Sequence, residues 1–262
     1  MINISLPDGS KMEIACGASI VEVAEAIGPR LAKSAVCALV DGQLRDLRER
    51  LSEDATVTFL TRGSQQALEV LRHTTTHVMA QAVKKLFPQA TLGIGPAIEN
   101  GFYYDFDLPQ PFAPEDLSAI EEEMRKIIAE ALPIERMEAS KKEALELLTK
   151  RGEKLKLELL EDLEDETITL YKQGEFIDLC RGPHLRNTGE IKANAFKLMS
   201  IAGAYWRGDE NRPMLQRIYG TAWESKKELD AHLEKIAQIE ARDHRKLIWS
   251  LLAFQIWRAN YG

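Results

Sequence analysis

The chain has 262 residues, of which 45% are hydrophobic and 29% are charged, a composition typical of globular proteins and not of collagen-like, fibrous or disordered chains. Its formal net charge of −7 argues against nucleic-acid binding through overall positive charge. The sequence shows neither the ~20 consecutive apolar residues of a membrane span nor the basic and apolar regions of a secretory signal, so we expect a cytoplasmic protein that does not associate with a membrane.

Residues 1–62 predict a small domain of short strands and one helix. Apolar residues alternate with polar ones from Ile2 onwards, and turn-forming residues at 7–10 predict an opening hairpin. Ser19 is a candidate N-cap for a helix that ends at Gly28, and further short strands follow. This order predicts a β-grasp sheet packed on one helix. It resembles the TGS domain, a ubiquitin-like module of threonyl-tRNA synthetases and certain regulatory GTPases.

Residues 63–223 predict a mixed α+β domain. Apolar spacing, an N-terminal proline and a capping box predict three helices, over 64–87, 114–132 and 140–152. Asn100-Gly101 predicts a hairpin. Alternating leucines predict a half-buried strand over 155–159, with Lys156 on its polar face. Further strands are predicted over 167–172, 175–180, 196–201 and 215–219.

The third predicted unit, residues 224–262, consists of a linker helix and an atypical tail. The helix is charged and amphipathic and is predicted to run from Glu224 to Lys246. The tail, 248–262, is apolar and contains two of the four tryptophans.

Two pairs of residues predict a chemical site. His73 and His77 lie four apart on a predicted helix, which places both imidazoles on one face. Cys180 and His184 are also four apart, on a segment that Gly-Pro keeps out of helix. The four side chains suit a tetrahedral zinc site, or acid–base chemistry around a water without a metal. A buried structural cysteine and a chance His pair are the competing interpretation.

Charge alone says less about the other candidates. Lys156 and Asp178, taken as isolated residues, are more typical of surface charges. Between 192 and 227 there are seven Lys or Arg residues and three acidic ones, an excess that favours a solvated face over a polyanion-binding surface. With three cysteines in the sequence, a disulfide framework is not expected.

Four segments make the sequence similar to the N-terminal half of bacterial-type threonyl-tRNA synthetases, in register from residue 1 to about 247. They are HTTTHVMAQAVKKLFP, GIGPAIENGFYYDFD, FIDLCRGPH and FKLMSIAGAYWRGDENRPMLQRIYGTAW. The resemblance implies an editing domain that hydrolyses seryl-tRNA(Thr), a product of mischarging. The residues that match its active-site motif are His73, His77, Lys156, Asp178, Cys180 and His184.

The resemblance also suggests roles for these residues. His73 and Lys156 are expected to position the ester and terminal ribose, Cys180, His184 and His77 to orient or activate water, and Asp178 to fix an imidazole or the serine amine. The predicted tRNA-binding residues are Lys192, Lys197, Arg207, Arg212 and Arg217. The resemblance predicts no cofactor, with zinc at His73, His77, Cys180 and His184 as the alternative.

The tail at 248–262 departs from the family pattern, and the catalytic motifs of aminoacylation do not occur in the sequence. We therefore expect a deacylase that does not aminoacylate, arising either by truncation or frameshift or as a free-standing factor beside a separate synthetase. A noncatalytic tRNA-binding or regulatory module and an inactive ligase fragment are the alternatives.

Overall fold

The computed structural model describes residues 1–242, and within this part of the chain the strands form three sheets. Within these residues all but one of the strand pairs are antiparallel, and helices pack against the sheets, so the predicted α+β fold is confirmed. The predicted tail, 248–262, and the end of the predicted linker helix lie outside the described residues. Among the helices of residues 1–242, none has the length and apolar character needed to cross a bilayer.

Residues 2–61 form a five-stranded β-grasp sheet with two helices. In chain order the elements are β1 (Ile2–Ser5), β2 (Lys11–Ile14), α1 (Ile20–Ile27), α2 (Pro29–Ser34), β3 (Ala35–Val40), β4 (Gln43–Arg45) and β5 (Ala55–Thr61). The strand order is β2-β1-β5-β3-β4, with β1 and β5 parallel. We call these residues the N-terminal domain.

The predicted start of α1 is confirmed in detail. Ser19 and Glu22 form a capping box, which satisfies backbone N–H groups that the first helical turn leaves without partners. The buried face of α1 packs its Ile20 and Val23 into the core of the N-terminal domain. The sequence did not predict α2, which begins at Pro29 because the fixed φ of proline suits a first helical position.

The rest of the described chain forms two further sheets and five longer helices. In chain order the elements are α3 (Gln65–Leu86), β6 (Thr91–Leu92), β7 (Ala97–Ile98), β8 (Gly101–Asp107), α4 (Asp116–Glu130), β9 (Ile134–Ser140), α5 (Lys141–Arg151), α6 (Lys154–Glu161), β10 (Thr167–Gln173), β11 (Phe176–Leu179), β12 (Phe196–Tyr205), β13 (Met214–Ala222) and α7 (Lys226–Ala241). One sheet has the order β11-β10-β9, and the other β12-β13-β8-β6 with β7 paired to β8.

Helix α3 is the central element of the fold. It buries 14 of its 22 residues, because it packs against α4, β8 and β13 and also against β3 and β5 of the N-terminal domain. The largest apolar cluster reflects this, since it contains Val36 and Cys37 from β3 together with residues of α3. The N-terminal domain is therefore packed directly against the helix that bears the predicted histidine pair.

The predicted strand over 155–159 is wrong, because these residues belong to helix α6. Its sequence, KLKLELLE, contains only strong helix formers and no β-branched residue, so helical propensity prevails over the alternation of leucines. The helix buries Lys156, which the strand prediction placed on a polar face. Strand β9 was not predicted at all, since its alternating residues are mostly polar.

Candidate functional site

The first half of the site lies on α3. His73 and His77 are one helical turn apart, and their ring centroids are 5.2 Å from each other. Ser64 caps the start of the helix, because its side chain accepts a hydrogen bond from the backbone N–H of Ala67. The positions of both imidazoles therefore follow from regular helix geometry.

The second half lies on the segment after β11. The Sγ atom of Cys180 is 3.3 Å from Nε2 of His73 and 3.4 Å from Nε2 of His184. One ligand atom from each of His73, His77, Cys180 and His184 lies within 4.8 Å of the others. The structure thus brings together all four residues of the two predicted pairs, which we call the histidine–cysteine cluster.

A buried ion pair borders this cluster. Lys156 Nζ lies 2.7 Å from Asp178 Oδ1, and both side chains are at most 4% exposed. The other carboxylate oxygen, Oδ2, lies 3.6 Å from His77 Nε2 and accepts a hydrogen bond of 2.7 Å from the Tyr104 hydroxyl. Asp178 therefore joins α6, β8 and α3, and neither charge is a surface charge.

Tyr104 and Thr74 contribute to the site and were not predicted from the sequence. Tyr104 is one aromatic residue among several in β8, and only the alternation of the strand indicates that it points inward. Thr74 accepts a hydrogen bond of 3.0 Å from the backbone N–H of Leu185, and its Oγ1 lies 3.3 Å from Nδ1 of His184. No short sequence pattern marks either residue.

Burial controls the charge state of the site. Desolvation lowers the pKa of His73 to about 4 and lowers the pKa of His184 well below its usual value. Burial alone would raise the pKa of Asp178, but the charges of Lys156 and His77 outweigh it and the pKa lies below its usual value. Near neutral pH, His73 and His184 are therefore neutral imidazoles beside an ionised carboxylate.

The donor set of the histidine–cysteine cluster fits a metal ion. Three imidazoles and a thiol are the ligand types of tetrahedral zinc sites, and neutral imidazoles have a lone pair available for a metal. The separations of 3.3 and 3.4 Å from Sγ to two Nε2 atoms suit neighbouring ligands at zinc distances of ~2.0–2.3 Å. The prediction of no cofactor is therefore wrong, because the cluster supplies a complete set of metal ligands.

A cavity of 440 Å³ opens beside the cluster. All the predicted catalytic residues except His184 line it, together with apolar walls from Ile94, Pro96 and Leu159 and with Leu44 of the N-terminal domain. The cavity is large enough for an aminoacyl ester and part of a ribose. Apolar walls with a few convergent polar groups are typical of a small-molecule pocket.

None of the predicted tRNA-binding residues lines this cavity, and most of them are paired. Lys192 is exposed. The other four form ion pairs with carboxylates of the same chain: Lys197 with Glu121 at 3.2 Å, Arg207 with Asp162 at 2.6 Å, Arg212 with Glu158 at 2.7 Å and Arg217 with Asp105 at 2.6 Å. Acids from other segments thus balance much of the local basic excess.

Two family models match separate parts of the chain. The TGS domain model matches residues 2–61, and the model described as threonyl and alanyl tRNA synthetase second additional domain matches residues 168–219. The second match contains Asp178, Cys180 and His184, whereas His73 and His77 lie outside it.

Several curated proteins are similar to almost the whole chain. The threonine–tRNA ligases of Citrifermentans bemidjiense and Maricaulis maris are 56% and 55% identical to it over 246 and 248 residues, which is 94% of this chain and 38% of each relative. The threonine–tRNA ligase of Acetivibrio thermocellus is 51% identical over 263 residues, or 100% of this chain and 41% of that relative. The chain thus spans about two-fifths of the length of these relatives.

Proposed function

Since the chain corresponds to the N-terminal region of threonine–tRNA ligases, with a TGS domain and an editing-associated domain, we propose that its cavity hydrolyses the ester of tRNA(Thr) mischarged with serine. The observation that supports this proposal is the convergence of the histidine–cysteine cluster and the Lys156–Asp178 pair on one cavity of 440 Å³. Such a site can hold a small aminoacyl ester and direct a water at its carbonyl.

The hydrolysis needs one water and groups that handle its proton. The water oxygen adds to the ester carbonyl carbon, the bond from that carbon to the ribose oxygen breaks, and the proton passes to the departing ribose oxygen. We assign His73 and Lys156 to positioning the ester and ribose, and Cys180, His184 and His77 to orienting or activating the water. Asp178 holds His77, because its Oδ2 lies 3.6 Å from that imidazole.

The histidine–cysteine cluster is also where a metal ion would be held, by His73, His77, Cys180 and His184. Zinc held by all four side chains would form a closed structural site; held by three of them, it would leave a position for water, supply Lewis-acid chemistry and lower the pKa of that water. With the metal bound, Asp178 would keep its task and Lys156 would have a second one. Asp178 orients His77, and Lys156 holds the carboxylate in place at 2.7 Å.

The small difference between serine and threonine is the reason for proposing a second, hydrolytic site. Threonine is larger by one methyl group, and such a difference changes binding by only ~1–3 kcal/mol in a site that must accept the larger amino acid. A second site that excludes the larger one corrects the error. One part of the cavity wall is close-packed, since a Cβ added to Gly95 would lie 2.1 Å from Cδ2 of Tyr104.

We propose tRNA as the macromolecular partner, contacted by Lys192, Lys197, Arg207, Arg212 and Arg217 around the acceptor end. Because four of these cations are already paired, their contribution depends on exchanging a carboxylate for a phosphate. We also propose that the chain divides at residues 62 and 223 into the TGS domain, the editing domain and the linker unit.

Ester release from Ser-tRNA(Thr) and Thr-tRNA(Thr) by the 262-residue chain tests the proposed function. We expect the serine ester to be hydrolysed ~10–200-fold faster than the threonine ester. His73→Ala should lower the rate at least ~100-fold, whereas His232→Ala, a histidine of α7 that stacks on Trp223, should leave it unchanged. Equal hydrolysis of both esters, or none, would contradict the proposal.

A second arm separates catalysis from binding. Salt-dependent tRNA binding that is unaffected by His73→Ala, without release of either ester, would identify a noncatalytic tRNA-binding module instead. Chelator treatment then tests the metal. If a bound ion supports hydrolysis, Cys180→Ser should abolish both the metal stoichiometry and the activity, while the exposed Cys16→Ser should keep them.

A further inference from the structure

A carboxylate of the N-terminal domain is buried against the histidine–cysteine cluster. Asp46 follows β4 directly, and its side chain is 0% exposed. It lies two residues after Leu44, which lines the cavity. A buried carboxylate is costly unless its oxygens are paired and hydrogen-bonded, so its partners indicate what it is there to hold.

Within the N-terminal domain, Arg48 fixes the orientation of this carboxylate. Arg48 Nη1 lies 2.9 Å from Oδ1 and 2.6 Å from Oδ2 of Asp46, and the backbone N–H of Arg48 donates to Oδ1 at 2.9 Å. The same guanidinium donates from Nη2 to the carbonyl oxygen of Leu185. Asp46 and Arg48 therefore act as one rigid unit that reaches the residue next to His184.

The Oδ2 atom of Asp46 accepts two further hydrogen bonds, both from the editing part of the chain. The backbone N–H of His184 donates to it at 3.0 Å, and the hydroxyl of Tyr171 donates to it at 3.0 Å. Burial and the Asp46 charge both raise the pKa of Tyr171, so its hydroxyl remains a proton donor. The residues joined by these two bonds are 138 and 125 positions apart in the sequence.

Tyr171 connects Asp46 to the other end of the loop formed by residues 180–184. Its ring lies 4.5 Å from the His184 ring, centroid to centroid, in a T-shaped contact. It also packs against Gly182, where an added Cβ would lie 2.1 Å from the Tyr171 hydroxyl oxygen. Gly182 in turn donates its backbone N–H to Cys180 Sγ at 3.2 Å. Asp46 thus contacts His184 directly, and it is linked to Cys180 through Tyr171 and Gly182.

A neighbouring contact also joins the editing part of the chain to the N-terminal domain. Arg186 Nη2 donates to the carbonyl oxygen of Ala35, at the start of β3, at 2.9 Å. The segment that follows the cluster is thus tied to the N-terminal domain by the bond of Arg48 to Leu185 and by the bonds of Arg186 to Ala32 and Ala35. Apolar packing alone would join the two domains at less cost than a buried ion pair, so the polar contacts serve geometry rather than adhesion.

We propose that Asp46 is a positioning residue for the editing site: through His184 and Tyr171 it sets where the Cys180–His184 loop meets α3. The N-terminal domain then completes the site instead of only preceding it. The expected effect on the rate of hydrolysis rests on the proposed function. The expected effect on metal binding rests on the geometry of the cluster alone.

The test compares Asp46→Asn and Tyr171→Phe with a matched control in the 262-residue chain. Asp54→Asn is the control, because this carboxylate lies in the same domain and accepts a backbone N–H, from Asn3 at 2.8 Å. We expect Asp46→Asn to lower kcat for serine-ester hydrolysis ~10–100-fold with KM unchanged, as for residues that orient a site from outside it. Tyr171→Phe should have a smaller effect, and the control none.

Cobalt(II) binding gives a readout that does not depend on hydrolysis. Thiolate and imidazole ligands give Co²⁺ visible absorption bands that report coordination geometry, so Asp46→Asn should shift the bands and lower Co²⁺ affinity ~10–100-fold. Tyr171→Phe leaves Asp46 paired with Arg48 and guards against an Asp46 variant that fails to fold.

The two readouts distinguish failure of the inference from failure of the proposed function. A wild-type chain that hydrolyses neither ester would overturn the proposed function, and the Co²⁺ comparison would then decide on Asp46 alone. Full kcat in folded Asp46→Asn and Tyr171→Phe, or Co²⁺ spectra and affinities equal to those of Asp54→Asn, would overturn the inference.

Discussion

The two halves of the histidine–cysteine cluster are held by different means. His73 and His77 are placed by α3, whose backbone hydrogen bonds are local and regular. Cys180 and His184 lie on a segment without regular secondary structure, and their positions depend on contacts with residues far away in the sequence, including Thr74 and Asp46. The helical half should therefore survive the loss of a single tertiary contact, whereas the loop half should not.

Asp178 is the point where the two halves meet. It lies on β11, immediately before the loop, and contacts His77 on the helix at 3.6 Å. Its charge is balanced by Lys156 from α6, so a third element determines whether this carboxylate can remain ionised in the interior. Contacts that involve Asp178 or the loop should consequently dominate the response to substitution.

Removing the cation at this meeting point should have the largest effect. Lys156→Met leaves the Asp178 carboxylate buried without its partner, and we expect the free energy of unfolding to fall by about 3–5 kcal/mol. The control is Lys226→Met, which removes one partner of an exposed i,i+4 pair with Asp230 and should cost at most about 1 kcal/mol. Urea unfolding measures both, and equal losses would show that burial does not govern the pair.

The loop should be nearly as sensitive to one added methyl group. Gly182→Ala places a Cβ 2.1 Å from the Tyr171 hydroxyl oxygen at a φ of 75°, so we expect a loss of about 3 kcal/mol and weaker Co²⁺ binding. In Gly152→Ala the φ is a similar 71° but the space is open, so about 1 kcal/mol of backbone strain should remain. If both variants lose the same stability, the contact with Tyr171 does not hold the loop.

The same contrast explains what the sequence could predict. Helix caps, turn residues and apolar spacing are local, so α1, α3 and the opening hairpin were predicted close to their observed bounds. The pairing of His73 with His77 follows from helical spacing in the same way. Lys156 was misplaced because the alternation of leucines in its segment suggested a strand, whereas the helical propensity of the same residues prevailed.

The non-local part of the site had no comparable signal. Residue type and spacing, supported by the family resemblance, identified Cys180 and His184, but their distance from His73 depends on how β11 and α3 are packed. Asp46 gave no indication of its role, since an acidic residue after a short strand is ordinary and its partners in the editing part of the chain are more than 100 residues away. Burial of a charge, which made Asp46 and Asp178 important, is a property of the fold and not of any short pattern.

The smallest expected effect concerns the Thr74 hydroxyl, through which α3 contacts the loop. Thr74→Val removes the acceptor for the Leu185 backbone N–H at 3.0 Å and should cost about 1–2 kcal/mol, because a buried donor is left unpaired. Thr75→Val makes the same change one residue further along α3, where the hydroxyl donates only to the Leu71 carbonyl within the helix at 2.8 Å, and its loss of stability should be smaller.

Thermal unfolding ranks the two variants, and amide exchange of Leu185 shows whether the loop has loosened. Faster exchange in Thr74→Val alone is expected if the loop half depends on contacts from α3, whereas equal exchange in both would mean that Asp46 and Tyr171 suffice to hold it.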